Sequence, residues 1–242
     1  MGLKSLPRIE KIRFEGLYFT HEGYDPTIKN CDFDFPTDHF VWVKSEEGAG
    51  KTSLLQVMAG LLIPQGGSYL LNDQDVVPMS FEEFLPYRLK IGFTFDYGGL
   101  INNRTIFDNI LLPLSYHHLL PDHESKRRVK DLIARFELEK FQHERPAHVP
   151  GRVRKLAILL RALVTHPDLV LLDDPSVGLG EATQAEFSVL LREMHQNGLI
   201  RHVFMSSHDD RFMGQFNYQV IHLSEGQLYR QTSHFEKIVV NG

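Results

Sequence analysis

The chain has 242 residues, of which 42% are apolar, so it is long enough for one large α/β domain with room for a subdomain. Its net charge of −5 argues against a protein that coats nucleic acid, and we expect no nucleic-acid partner. The single cysteine, Cys31, excludes an internal disulfide framework. Residues 1–8 lack the apolar core of a signal peptide, and no apolar run reaches membrane-spanning length. We therefore expect a cytoplasmic chain, unless another subunit holds it to a membrane.

The first part of the chain is predicted to consist of short strands separated by turns. Apolar residues alternate along 9–19 and 29–35, a pattern typical of antiparallel strands. Ser80, followed three residues later by Glu83, predicts a short helix with a capped N-terminus. The strands predicted in this part are 9–19, 29–35, 40–43, 68–71 and 90–95.

The middle of the chain has helical periodicity, and core elements return after it. We predict a helical subdomain over 96–164, inserted into a core made of 1–95 and 165–242. The predicted helices of this insert are 105–114, 122–136 and 152–165. The predicted elements that follow are a buried strand at 169–174, a helix at 181–197, a strand at 202–207 and a hairpin at 218–229.

The stretch 44–53, Lys-Ser-Glu-Glu-Gly-Ala-Gly-Lys-Thr-Ser, follows a predicted strand and opens a predicted helix. This is the context of a phosphate-binding P-loop, in which Lys51 would neutralise the β- and γ-phosphates and the Thr52 hydroxyl would ligate Mg²⁺. The pattern G-x-x-x-x-G-K-[ST] is met at every position except the first, which is Ser45. An ordinary strand–turn–helix that happens to contain Gly-Lys-Thr is the alternative. The candidate phosphate-binding residues are Ser45, Gly48, Ala49, Gly50, Lys51, Thr52 and Ser53.

Two later strands also end in residues that suit a nucleotide site. Asp173 and Asp174 end the apolar strand at 169–174, and His208 follows the strand at 202–207. Because ligands gather at the carboxyl ends of parallel strands, we expect these residues to meet the P-loop. An aspartate at the end of an apolar strand supplies the Mg²⁺ side of an NTPase site, so Thr52 and Asp173 are the candidate metal ligands.

This arrangement resembles the ATPase subunit of an ABC transporter, over nearly the whole chain. The fold that the resemblance implies is α/β, with a P-loop NTPase core of ABC-cassette type, an antiparallel β-subdomain and an inserted helical subdomain. The stretch 103–114 looks closest to cassettes of the Mce/Mla-type lipid transporters, although cell-division and lipoprotein-release cassettes carry a similar stretch. The matched motifs are 45–52 for Walker A, 91–96 for the strand before the Q-loop, 149–153 for the signature, 167–175 for Walker B and 206–209 for the H-loop.

The resemblance implies ATP and Mg²⁺ as cofactors, and it implies roles for single residues. Asp174 would be the catalytic base, His208 would contact the γ-phosphate, and Asp173 would hold Mg²⁺ through water. Asp96 stands at the Q-loop position, close to Mg²⁺ and the γ-phosphate, and is a candidate for both nucleotide and metal contact.

In the family, two cassettes sandwich ATP, and each site combines Walker A and B of one chain with the signature of the other. Gly151 and Arg152 stand in that signature here. An aromatic residue of the first hairpin is expected to stack on adenine, and His21 or Tyr24 fits the family offset better than Tyr18. The implied partners are a membrane permease, docked near the Q-loop and helical subdomain, and a second cassette in a homo- or heterodimer.

Several motif positions depart from the family pattern. Asp174 replaces a glutamate, which draws the carboxylate back by about 1 Å, and a shift of that size can cost on the order of 100-fold in rate. Asp96 replaces the Q-loop glutamine, and Gly180 stands where an aspartate belongs. Pro150 and Arg152 replace a serine and a glycine of the signature, and proline brings no N–H group to a phosphate.

Two functions remain open at this point. The first is an ATP-binding subunit that hydrolyses ATP slowly to drive or gate a membrane permease, with lipid as the expected substrate class. It would lie at the inner face of the cell membrane through that permease. The alternative is a catalytically deficient pseudo-ATPase that binds nucleotide and acts as a structural or regulatory subunit of a transporter or cell-envelope complex.

Overall fold

A computed structural model describes residues 6–95 and 98–231 of the chain. Over these residues, two β-sheets, seven α-helices and two short 3₁₀ helices form the fold. The strands are β1 (Ile12–Phe19), β2 (Ile28–Asp34), β3 (Phe40–Ser45), β4 (Gly66–Leu71), β5 (Gln74–Asp75), β6 (Ile91–Thr94), β7 (Leu169–Asp173), β8 (His202–Ser206), β9 (Tyr218–Ser224) and β10 (Gln227–Arg230). The helices are α1 (Lys51–Met58), α2 (Phe81–Arg88), α3 (Ile106–Tyr116), α4 (Asp122–Arg135), α5 (Gly151–Leu163), α6 (Glu181–Gln196) and α7 (Asp210–Met213).

The larger sheet has the strand order β10-β9-β3-β8-β7-β6. Its strands from β9 to β6 run parallel to their neighbours, and β10 closes an antiparallel hairpin with β9. The smaller sheet, β2-β1-β4-β5, is antiparallel throughout. The antiparallel strands, the capped helix after Ser80 and the hairpin after residue 218 were all predicted from the sequence and are confirmed.

The parallel sheet is buried on both faces, and alternate residues of its strands point to different layers. Val41, Leu171 and Phe204 pack with α1 and the antiparallel sheet. Trp42, Leu172 and Met205 pack with the helices on the other side, α3 to α6. Helix α1, which begins directly after the P-loop, therefore lies between the two sheets and is fixed there by Leu54, Leu55, Val57 and Met58.

The inserted helices α3, α4 and α5 lie within the range predicted for a helical subdomain. Helix α5 also packs on β6 and β7 of the core. Helix α5 and strand β6 are very close at Gly92, where a Cβ atom would collide with the carbonyl oxygen of Ala162. The division into 1–95, 96–164 and 165–242 stays a prediction.

The first strand begins three residues later than predicted, at Ile12 rather than residue 9. Ile9 does not pair with a neighbouring strand, because its backbone is bonded elsewhere. Its N–H donates to Asp168 Oδ2 at 3.0 Å, and its carbonyl accepts from His202 Nε2 at 2.7 Å. The alternation of apolar residues correctly predicted that Ile9 is buried, since its side chain is fully buried. It did not predict the partners of the Ile9 backbone.

His166 is held neutral between α5 and β7. Burial, together with the nearby cations Arg128 and Lys90, lowers its pKa from the ordinary 6.5 to about 4. Its backbone is left-handed, with a φ of 55°. Because the folded state disfavours the charged ring, stability contributed by neutral His166 is fully present above pH 6.5 and is lost as the pH falls toward 4.

We expect the free energy of unfolding to fall between pH 8 and pH 5, with about 1–2 kcal/mol of the fall due to His166. The variant His166→Asn should flatten this dependence, since asparagine cannot titrate here and tolerates a left-handed backbone. Urea unfolding of both proteins across this pH range measures the difference. If the free energy of unfolding depends on pH in the same way for both proteins, His166 is not the group responsible.

Candidate nucleotide-binding site

The carboxyl ends of three adjacent parallel strands form one edge of the larger sheet. Val43 of β3 lies opposite Ser206 of β8, and Ser206 lies opposite Asp173 of β7. The P-loop leaves β3 at this edge, and His208 follows β8 there. The structure therefore brings Lys51, Asp173 and His208 to one edge, as predicted from the strand ends.

The loop before α1 has the backbone shape that its glycines permit. Gly48 and Gly50 have φ values of 76° and 100°, in the left-handed region that glycine adopts without strain. A Cβ atom at Gly50 would also collide with the methyl group of Thr27. No side chain caps α1, and the first N–H groups of a helix have no partner within it. The loop and helix start thus form an anion-binding surface.

Lys51 and Ser45 face each other across this loop. Lys51 Nζ donates to Ser45 Oγ at 3.2 Å, and Ser45 Oγ donates to the carbonyl of Glu46 at 2.7 Å. The serine at the first motif position thus holds the lysine over the loop. A cavity of about 200 Å³ opens beside them, and it is lined by Trp42, Val43, Lys44, Ser45, Lys51, Ser207, His208 and Asp210.

Thr52 and Asp173 make the contact on which a metal site would depend. Thr52 Oγ1 donates to Asp173 Oδ2 at 2.8 Å, and Asp173 is only 3% exposed. Hydroxyl and carboxylate oxygens are the ligands that Mg²⁺ prefers, usually with waters and substrate phosphates completing its shell. These two side chains therefore fit an Mg²⁺ ion bound next to the phosphate loop.

Asp174 follows Asp173 in an uncommon backbone conformation, with a φ of 42°. Its N–H donates to the carbonyl and to the hydroxyl of Ser206, each at 3.1 Å. The turn that leaves β7 is therefore bonded to the end of β8.

Sequence reasoning assigned no role to three buried polar residues that surround Asp173. Ser206 Oγ donates to its Oδ1 at 2.5 Å, Thr94 Oγ1 accepts from its N–H at 3.3 Å, and Lys155 Nζ lies 3.5 Å from its carbonyl oxygen. Lys155 is 7% exposed, on the apolar side of α5. A polar residue within an otherwise apolar strand or helix face was the available signal.

The candidates for adenine stacking differ in their surroundings. His21 Nε2 lies 2.8 Å from Ser53 Oγ in the first turn of α1, and its ring meets Phe19 edge-on at 4.9 Å. Tyr24 is 78% exposed. Tyr18 pairs with Gly66 in the antiparallel sheet. His21 is thus the candidate in direct contact with the P-loop helix, and its role stays a prediction.

The signature residues do not line the P-loop cavity. Pro150 caps α5, Gly151 and Arg152 begin it, and the latter two are exposed. Gly151 lines a different cavity, of about 280 Å³, together with Val177 and Gly178. Asp96 lies outside the described residues, so its predicted contacts with nucleotide and metal stay predictions.

A family model described as ABC transporter matches residues 28–177, which is more than half of the chain. The chain belongs to the ABC transporter family. Among the described residues, none of the helices has both the length and the hydropathy needed to cross a membrane.

Two relatives from bacteria illustrate the similarity of this ABC family chain. It is 29% identical over 224 residues to the sulfate/thiosulfate import ATP-binding protein CysA of Neisseria meningitidis serogroup B, covering 90% of this chain and 60% of that protein. It is 29% identical over 224 residues to the methionine import ATP-binding protein MetN of Desulfitobacterium hafniense, covering 91% of this chain and 65% of that protein. The chain thus spans less than two-thirds of the length of these relatives.

Solved structures show the ABC cassette fold. A dimeric post-hydrolysis state of the ATP-binding cassette MJ0796, bound to ADP and Pi, matches with a TM-score of 0.81 at 22% identity, over 91% of this chain and 97% of that one. A second dimeric structure of the same cassette matches with a TM-score of 0.80 at 23% identity, over 90% of this chain and 97% of that one. The predicted fold class is confirmed: an α/β cassette with an antiparallel sheet and a helical subdomain.

Proposed function

We propose that this chain is the ATP-binding subunit of an ABC transporter, and that it binds Mg-ATP at the P-loop and hydrolyses it slowly. One observation carries the proposal: the Thr52 hydroxyl and the Asp173 carboxylate are 2.8 Å apart beside the phosphate loop. Both oxygens suit Mg²⁺ in that position. The relatives are named import ATP-binding proteins, and the solved cassette holds ADP and Pi, which supports the same ligand class.

The binding step would depend on the start of α1. Its N–H groups and the positive end of the helix dipole attract phosphate. Lys51 Nζ, now 3.2 Å from Ser45 Oγ, would exchange this neutral partner for a phosphate oxygen. Thr52 and Asp173 would hold Mg²⁺, which supplies positive charge beside the phosphates when bound.

The proposed hydrolysis is slow because of the base. Asp174 would accept a proton from the attacking water, and its side chain is one methylene shorter than the family's glutamate. A base at the wrong distance from its water is a poor base. His208, on the same strand edge as Lys51, would contact the γ-phosphate.

We propose a membrane permease and a second cassette as partners. The solved cassette is dimeric, and the relatives are named as import proteins, which supports both partners. Since a second cassette would supply the other signature, Gly151 and Arg152 would act in the partner's site rather than in their own. The chain would then lie at the inner face of the membrane, held there by the permease.

Lipid as the transported substrate stays a prediction. It rested on the stretch 103–114, much of which has a structural role. Thr105 caps α3 by accepting from the N–H of Asp108, and the buried Asn109 side chain bonds the backbone of Ile101. The relatives are named for sulfate/thiosulfate and methionine, so they lend lipid no support.

A pseudo-ATPase is the second candidate, and one observation favours it. The residue that precedes α5 is Pro150, which has neither a hydroxyl nor a backbone N–H, so this position of the signature offers a phosphate no donor. A subunit of this kind would bind ATP but release no phosphate.

The direct test is a titration of ATP with the purified chain, in Mg²⁺ and in excess chelator. We expect Mg²⁺ to raise the affinity for ATP. In Thr52→Val this Mg²⁺-dependent increase in affinity should be at least about tenfold smaller, because the variant lacks the ligating hydroxyl. Thr183→Val on α6 is the matched control and should behave as the unaltered chain. Absence of ATP binding in both conditions would contradict the proposal.

A further inference from the structure

Ser206, the last residue of β8, is fully buried and contacts both acidic residues of the site. Its hydroxyl donates to Asp173 Oδ1 at 2.5 Å and accepts from the N–H of Asp174 at 3.1 Å. Its carbonyl oxygen accepts from the same N–H, also at 3.1 Å. One serine thus connects the candidate metal ligand with the candidate base.

The Ser206 hydroxyl gives the two oxygens of the Asp173 carboxylate different surroundings. Oδ1 is bonded to Ser206 on the neighbouring strand, and Oδ2 is bonded to Thr52 on the P-loop helix. A carboxylate anchored through one oxygen cannot rotate freely about its terminal bond. By bonding Oδ1, Ser206 leaves Oδ2 of Asp173 facing the start of the helix, where a metal would lie.

Ser206 also holds the backbone of Asp174. The φ of Asp174 is 42°, a conformation that costs energy for residues other than glycine and persists only where the surroundings fix it. Two bonds from its N–H to Ser206 help to fix it: one to the side-chain hydroxyl, and one to the backbone carbonyl, which does not depend on the side chain. The Ser206 hydroxyl therefore contributes to the direction in which the Asp174 carboxylate leaves β7.

We propose that Ser206 is a positioning residue, which orients Asp173 for Mg²⁺ and Asp174 for water. The inference rests on the function proposed above. Groups that orient a metal ligand from behind are worth about 10- to 100-fold in metal affinity or activity. Removal of the hydroxyl should therefore weaken Mg²⁺ binding although Ser206 itself lies behind the ligand.

The test compares Ser206→Ala with Ser188→Ala, in which an equally buried hydroxyl on α6, bonded to Ala185 and Gln215, is lost. One measurement is the Mg²⁺ concentration that half-saturates ATP binding, which should rise about 10- to 100-fold in Ser206→Ala only. The other needs no nucleotide: amide hydrogen exchange in the peptide that contains Asp174 should become faster. If Ser206→Ala does not fold, Ser206→Cys, which keeps the volume and weakens the hydrogen bonds, takes its place.

The outcomes separate this role from the proposed function. The positioning role would be overturned if the half-saturating Mg²⁺ concentration and the amide exchange rate of the Ser206 variant lie within twofold of those of Ser188→Ala. ATP binding by the unaltered chain would be unaffected by that result. Faster exchange without a shift in Mg²⁺ dependence would make Ser206 a structural residue only, and would also overturn it. If the unaltered chain binds no ATP at any Mg²⁺ concentration, the proposed function fails and the positioning role fails with it.

Discussion

Replacement of Lys51 by alanine is expected to weaken ATP binding on the order of 100-fold. A bound phosphate would cover the half-buried Lys51, and truncation of one partner of a buried charge pair costs about 2–5 kcal/mol. The structure places Lys51 Nζ over the loop, 3.2 Å from Ser45 Oγ, on the lining of the cavity that also holds His208. Titration with a fluorescent ATP analogue, followed by competition with ATP, measures the loss.

Lys130→Ala is the control for this experiment, since Lys130 is an exposed lysine of α4 outside the site. The control should bind ATP as the unaltered chain does. Equal affinity in the Lys51 and Lys130 variants would mean that phosphate does not bind at the P-loop.

The variant Asp174→Glu is expected to raise the rate of ATP hydrolysis by about 10- to 100-fold, since a misplacement of about 1 Å can cost that much. The longer side chain restores the reach of the carboxylate from a backbone that Ser206 already holds. ATP affinity should change little, because the P-loop is untouched. Steady-state release of phosphate at saturating Mg-ATP measures the effect.

Asp174→Asn serves as the counterpart, because it keeps the shape of the side chain and removes the base. It should release less phosphate than the unaltered chain. If Asp174→Glu is no faster than the unaltered chain, the carboxylate is not the limiting feature. Pro150 and Arg152 of the signature, and Asp96 of the Q-loop, would then be the positions to restore.

Much of the fold could be predicted because local signals agreed with the tertiary arrangement. The strand–loop–helix around Lys51 and the apolar strand ending at Asp173 each carried their own pattern. The capping box was also readable: Ser80 accepts from the N–H of Glu83, whose carboxylate accepts from the N–H of Ser80. The convergence of strand ends then followed from the rule for parallel sheets.

The contacts within the site could not be predicted, because they depend on which strands are neighbours. Ser206 meets Asp173 only because β8 pairs with β7 in that register. Lys155 reaches the end of β7 because the buried face of α5 lies over it. Neither pairing is encoded near either residue in sequence. His21 likewise reaches Ser53 across the boundary between the first hairpin and α1.

The stretch 103–114, on which the lipid prediction depends, also has a structural role. Asn109 is fully buried and bonds the backbone of Ile101, Arg104 and Thr105, so it fixes the loop before α3. Because these residues fix the backbone before α3, their pattern alone does not identify what a permease carries, and lipid stays a prediction.

We propose above that this chain binds ATP through the P-loop and hydrolyses it slowly. The most direct measurement is ATP binding and phosphate release on one purified sample, with Lys51→Ala as the background. We expect the unaltered chain to bind Mg-ATP and Lys51→Ala to lose most of this binding. We also expect the unaltered chain to release phosphate slowly, but faster than Lys51→Ala does. Binding without release above that background would contradict the hydrolysis and favour the pseudo-ATPase, and absence of binding would contradict both.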